Sequence, residues 1–298
     1  MSTVDKLSLM DEHKPKWKPR RSGRRILLAG LLAPALIVGV TVACTFLLMV
    51  FVSFQRRFPG DAEFTLYQYA LFFQDSYLLE TALRTIALGL VTTTICGILG
   101  YPVAWFLVMS SSRHTYIVFI VILAPLLVSI VVRTIGWTVI LGNEGLINAA
   151  LLKLGVIQSP LSLMQSFWSV VAGMVHVLLP FMVLSISSVL GKLDRSAIEA
   201  AMTLGATRSV VFRLITLPLS IGGVLTGAVI VFCLTVGAYL TPLWLGRGSV
   251  QVLALTIRQQ VMDFGDWPGG AAQAVLLAAG AMTLIVIVSV ATQRMGRR

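Results

Sequence analysis

Gly191–Pro218 reads GKLDRSAIEAAMTLGATRSVVFRLITLP and is the longest polar interruption in the second half of a very apolar chain. Its residues predict a helix, a glycine turn and a second helix. Asp194 is placed to cap the first helix by accepting from first-turn N–H groups that have no partner within the helix. Arg195 to Leu204 follow without a breaker, which predicts about 15 Å of helix at ~1.5 Å per residue. Gly205 sits where the chain must leave that helix, a position that calls for positive φ and so for a residue without a Cβ. Thr207 is placed to cap the next helix, on which Val211, Phe212 and Ile215 form one apolar stripe. Pro218 then falls in the first turn of an apolar run, where a missing N–H costs nothing.

On both sides of this loop the chain is built from long apolar runs. Of its 298 residues 57% are hydrophobic and 12% charged, whereas a soluble domain carries roughly 25% charged residues. Six runs stand out, at 26–53, 81–109, 115–141, 165–190, 218–245 and 270–292. Each exceeds the ~20 residues that cross a bilayer as a helix. Lipid offers no partner to an exposed backbone group, so every run is expected to be helical. The predicted fold is all-α: a polytopic membrane protein with six transmembrane helices, the 191–217 loop lying between the fourth and fifth. Pro102 and Pro125 predict kinks in the second and third.

The formal charge of +11 is distributed on one side. Residues 1–25, the 109–114 and 191–217 loops and the C-terminus together hold 16 of the 23 Lys and Arg but only 5 of the 12 acids. The positive-inside rule makes that side cytoplasmic, with both termini inside. The same one-sidedness directs the basic charge to lipid head groups, with no nucleic-acid partner implied. The division is then a basic cytoplasmic tail, 1–25, and a transmembrane domain, 26–298. The first apolar run has 28 residues, too long for the roughly 7–15-residue core of a signal peptide, and reads as an uncleaved anchor.

The composition argues against catalysis in this chain. No G-x-x-x-x-G-K-[ST] and no H-E-x-x-H occurs, and the three histidines are scattered. Cys44, Cys96 and Cys233 lie within apolar runs without C-x-x-C pairing and are expected to be small buried hydrophobes. Neither a cofactor nor a metal site is expected. An ion-coupled secondary transporter needs ionisable groups inside the membrane, yet Glu80, Glu144, Asp263 and Asp266 all fall at or beyond run ends. An intramembrane enzyme would need a nucleophile–base pair or metal cluster, and the runs offer neither.

The loop carries a resemblance. Glu199-Ala200-Ala201, Gly205, Phe212 and Pro218 match the EAA loop of ATP-binding-cassette importer permeases. Gly142-Asn143-Glu144-Gly145-Leu146-Ile147-Asn148 resembles the G-x-x-G-L-I-N stretch of the same group, especially its spermidine/putrescine-type branch. Asp266-Trp267-Pro268-Gly269-Gly270 resembles its turn before the last span. The resemblance implies a bacterial inner-membrane permease subunit whose loop docks a cytoplasmic ATPase dimer. It implies a homologous second permease, a periplasmic solute-binding protein, and ATP hydrolysis in the separate ATPase subunits. Asp194, Glu199, Ala200, Ala201, Gly205, Phe212 and Pro218 are the coupling residues it implies. The residue types suit that role: Ala200 and Ala201 allow close backbone approach, and Glu199 offers a carboxylate to a basic or N–H-rich rim.

The solute pathway is less marked. Gly237, Pro242 and Gly246 are expected to break the fifth run, and irregular backbone at membrane depth is tolerated where it lines a cavity. Tyr239, Thr241 and Trp244 are therefore pathway candidates, with Trp137, His176, Asp263 and Asp266. The bland alternatives stand beside this: a lone His176 hydrogen-bonding a neighbouring helix, and Asn148 satisfying local backbone. A polyamine is the first expectation for the solute, since a dication seeks aromatic faces and carboxylates. Arg84 and Arg133 would suit an anion instead, leaving amino-acid-like, opine-like and organophosphonate solutes as alternatives.

Overall fold

The computed structural model describes residues 21–60, 63–110 and 112–295, so most of the basic tail lies outside the described residues. The described residues contain only helices, turns and one isolated bridge between Gln55 and Phe64. The first helix, α1, runs Arg21–Ser53, so the chain is already helical five residues before the first apolar run. Its Thr41 and Thr45 hydroxyls donate to carbonyls one turn back, at 2.9 Å each, which hides their polarity within the helix. Residues to Met49 form one compact unit and those from Val50 a second.

In the second unit the elements are α2 (Tyr67–Gln74), α3 (Ser76–Met109), α4 (His114–Leu127), α5 (Ile130–Leu141) and α6 (Leu146–Lys153). Then come α7 (Phe167–Leu190), α8 (Arg195–Thr203), α9 (Arg208–Val211), α10 (Leu217–Val236), α11 (Leu240–Gly246), α12 (Leu253–Arg258) and α13 (Trp267–Met295). Helices α3, α7 and α10 pack around a core that includes Leu88, Cys96, Met174, Met182, Ile186 and Val231. Their closeness depends on small residues, as expected where lipid supplies no hydrophobic drive between helices. A Cβ on Gly223 of α10 would stand 3.1 Å from the Ile186 Cα of α7, and one on Gly227 only 2.6 Å from Met182 Sδ. Of the three cysteines only Cys96 is fully buried.

Among the described residues, six helical stretches have the length and apolarity to cross a membrane: Ala33–Ser53, Ser76–Met109, Ile130–Lys153, Phe167–Leu190, Ser209–Val236 and Trp267–Val290. Four features of these segments have physical causes; the break of the fifth run at Gly237 is as expected, and the other three depart from the sequence expectation. The second helix begins at Ser76 rather than 81, because Asp75 Oδ1 accepts from the Tyr77 N–H at 2.8 Å and caps it. The third run is not one kinked helix. It divides into α4 and α5, with Val128 extended two residues after Leu126 and three after Pro125. With 14 and 12 residues, these pieces reach about 21 and 18 Å, each short of a ~30 Å hydrocarbon core. The fifth run stops at Gly237 and resumes as α11, with Pro242 inside the first turn of that new helix.

Pro218 is the fourth. It occupies the second position of α10, but α9 and a π-helical turn, Phe212–Thr216, run into α10 without a break. The proline therefore lies inside a continuous helical ribbon that starts at Arg208. A proline ring clashes with the carbonyl four residues back and leaves a hydrogen bond unmade. Here the Leu217 N–H bonds back five residues to the Phe212 carbonyl, and this wider turn just ahead of Pro218 absorbs the misfit.

Candidate coupling loop and membrane pathway

The 191–217 loop is built as its residues predict. Asp194 Oδ1 accepts from the Ser196 N–H at 2.9 Å and starts α8. Hydrogen bonds from the Ser196 side chain and backbone hold the Asp194 carboxyl below the usual carboxylate range. At the other end Gly205 has φ +87°. Its N–H bonds to the Met202 carbonyl and that of Ala206 to the Ala201 carbonyl, both at 3.0 Å. These two bonds close a Schellman motif, which is the reason for glycine at this position. Between the caps Glu199 and Ala200 are exposed and Ala201 half-buried. Leu204 is 88% and Leu214 73% exposed, so the loop presents bulky apolar side chains as well as a carboxylate.

The inward face of the same loop is anchored. Val211 and Thr216 are buried, and Phe212 and Ile215 half-buried. The Phe212 ring meets Tyr101 edge-on at 5.6 Å and Trp105 at 5.2 Å between centroids, both on α3. The Tyr101 hydroxyl and Ser220 Oγ of α10 lie 2.7 Å apart. Sequence reading singled out Phe212 but missed Tyr101 and Trp105. Nothing local distinguishes them from other aromatics in an apolar run.

Near the break in the third membrane segment, Trp137 of α5 and His176 of α7 come together. Trp137 Nε1 donates to His176 Nδ1 at 3.4 Å, with ring centroids 5.7 Å apart. His176 thus bonds a neighbouring helix, the blander of its two readings. Arg133 Nη1 donates to the Pro125 carbonyl at 2.8 Å, spanning the break. That carbonyl lies where the helix ends and is left for a side chain to satisfy. Arg84 is paired with Glu80 one turn earlier on α3, whereas the buried Arg133 Nε has no hydrogen-bond partner.

The fifth-segment candidates separate. Tyr239 and Trp244 are 38% and 43% exposed, while Thr241 is 5% exposed and packs on Gly173 of α7. Asp263 and Asp266 are both engaged in the fold. Asp263 Oδ2 takes Arg258 Nη2 at 2.8 Å, with a second contact at 3.3 Å. Asp266 Oδ1 accepts from the Gly269 N–H at 3.0 Å at the start of α13. A Cβ on Gly269 would collide with the Asp266 carboxylate, which accounts for glycine there. Asn148 is fully buried; its amide donates to the Gly142 and Leu161 carbonyls at 3.0 and 2.9 Å and accepts from the Leu161 N–H at 2.9 Å. These side chains are not gathered into one cluster.

The structure is thus a helical membrane domain with a capped, exposed loop between the fourth and fifth of its long apolar helices. Residues 9–298 match the family described as binding-protein-dependent transport system inner membrane component, and the chain belongs to it. It is a multi-pass inner-membrane protein. The spermidine/putrescine transport system permease protein PotB of Salmonella typhimurium (strain SL1344) is 33% identical over 259 residues, covering 84% of this chain and 89% of the relative. PotB of Escherichia coli (strain K12) is 32% identical over 249 residues, covering 81% and 90%. A chain of the bacterial alginate transporter, solved in complex with alginate pentasaccharide-bound periplasmic protein, superposes with a TM-score of 0.74 at 16% identity over 92% of this chain and 96% of that one. That likeness establishes the fold.

Proposed function

We propose that this permease subunit imports a polyamine such as putrescine or spermidine, driven by a cytoplasmic ATPase dimer seated on residues 195–217. The single observation that carries the coupling reading is the construction of α8. It is capped at both ends and exposes Glu199, Ala200 and Leu204, and the turn that follows is tied inward through Phe212. A well-formed helix joined to an anchored turn transmits force, whereas a loose loop would absorb it. The basic side is cytoplasmic, with both termini inside, and a homologous second permease and a periplasmic solute-binding protein complete the assembly. ATP closes the ATPase dimer, which draws the coupling helices together; α10, continuous with the loop, tilts in response. ATP hydrolysis belongs to the partner subunits.

The polyamine reading rests on the two PotB relatives. The geometry answers one objection in part: Glu80 offsets the charge of Arg84, whereas Arg133 donates to a neutral carbonyl and keeps its charge. The aromatic faces of Trp137, Tyr239 and Trp244 are suited to an amine passing by. The carboxylates Asp263 and Asp266 are turned to structural use, so stronger acidic contacts fall to the companion permease.

The test is solute-stimulated ATPase activity in proteoliposomes holding this chain with its companion permease, ATPase and binding protein, beside a Gly205→Asp variant. Putrescine or spermidine should stimulate hydrolysis, and Gly205→Asp, strained at φ +87°, should abolish that stimulation. Stimulation by an amino-acid-like, opine-like or organophosphonate solute instead would overturn the polyamine assignment alone. Failure of the chain to associate with any ATPase would overturn the coupling reading.

A further inference from the structure

The coupling loop is joined by the backbone to α7 at Gly191 and to α10 at Leu217, and by side chains to α3 as well. Tyr101 and Trp105 are four residues apart on α3 and so share one face. The Phe212 ring stands edge-on to both, at 5.6 and 5.2 Å. The Tyr101 hydroxyl then reaches Ser220, at 2.7 Å, two turns further along the ribbon.

The π-helical turn is what makes this double contact possible. At ~100° per residue, eight residues of regular α-helix would leave Phe212 and Ser220 about 80° apart around the axis. A π turn takes up one extra residue, which brings the two within about 20° of each other, on a common face. Thr216, midway along that face, is fully buried, and its Oγ1 has no hydrogen-bond partner.

We propose that Tyr101 and Trp105 are positioning residues of the transport cycle, clamping Phe212 so that motion of the coupling loop is delivered to α3 and α10 together. This rests on the reading of residues 195–217 as the ATPase seat. Backbone continuity alone would deliver that motion to α7 and α10; the clamp ties α3 to α10 so that these two move as one body. Because α3 and α10 both pack on α7, their joint displacement opens or closes the seam against it.

The assembled four-component complex in proteoliposomes supplies the test, read as solute taken up per ATP hydrolysed. Trp105→Ala should leave ATPase co-purification at the wild-type ratio but lower uptake per ATP roughly tenfold, within the 5–150-fold span of typical allosteric coupling. Trp105→Phe, which keeps an aromatic edge, should recover most of it. Tyr101→Phe, which removes one hydroxyl and leaves the fold intact, should lower the ratio in the same direction. The double variant Trp105→Ala/Phe212→Ala should be no worse than either single one, since both break one clamp. An unchanged ratio in Tyr101→Phe and Trp105→Ala, with the ATPase still bound, would overturn the clamp while leaving the docking reading intact. Loss of ATPase binding by the unmodified chain would overturn both.

Discussion

The hydroxyl of Tyr101 lies 2.7 Å from Ser220 Oγ, and the two residues are 119 positions apart in the chain. This bond ties the middle of α3 to the start of α10 at the level where the coupling loop enters the membrane domain. Ser220 is fully buried and its hydroxyl also donates to the Leu217 carbonyl at 3.1 Å. Replacing Tyr101 by Phe removes one buried hydrogen bond, for which about 1 kcal/mol of stability is expected to be lost. Thermal unfolding in detergent checks this and separates it from the larger effect on coupling.

Asn148→Ala should be the most destabilising of the polar substitutions. Its side chain satisfies the Leu161 N–H and adds a second bond to the Gly142 and Leu161 carbonyls, which also accept from the Gly145 and Leu163 N–H groups. Leaving the buried N–H unpaired costs about 1–3 kcal/mol. A lower unfolding temperature is expected, with Asn148→Asp no better, because a carboxylate cannot donate to either carbonyl.

The cap on α8 should respond to pH in one direction. Hydrogen bonds from Ser196 lower the folded carboxyl pKa of Asp194, so its contribution is present at neutral pH. That contribution disappears as pH falls through the lowered folded value. Asp194→Asn should remove the pH dependence while keeping a cap, and Asp194→Ala should remove the cap outright. Amide exchange at residues 196–200 reads both effects.

Enlarging Gly223 should push α7 and α10 apart. A Cβ there meets the Ser185 carbonyl at 3.0 Å and the Ile186 Cα at 3.1 Å, backbone atoms that cannot rotate away. Gly223→Val is expected to destabilise by about 1–3 kcal/mol, visible as a lower unfolding temperature and weaker assembly. Gly222→Ala, next to it with open space around it, is the neutral control.

Asp263 offers a discrimination between solute contact and structural pairing. With Arg258 bound to both its oxygens, Asp263→Asn and Arg258→Gln should reduce uptake equally, and the double variant no further. A deficit confined to Asp263→Asn, seen as a raised KM for the solute, would instead assign Asp263 to the pathway.

Much of this was legible locally. Six crossings follow from apolar runs longer than a bilayer is thick, and Asp194 and Gly205 announce α8 because caps are set by residues within one turn. The turn before α13 is similarly local, since Asp266 and Gly269 are three positions apart. Other features depend on partners far along the chain. The third run looks continuous, and the Pro125 carbonyl finds Arg133 only once α4 and α5 have separated. Pro218 has the look of a helix start, and only the π turn behind it shows how a proline sits inside a continuous ribbon. The clamp of Tyr101, Trp105 and Phe212 has no signature of its own. Periodicity and capping act over a few residues and are written in the sequence. Which aromatic ring meets which is decided by how closely α3, α7 and α10 approach, and so by packing across the whole fold.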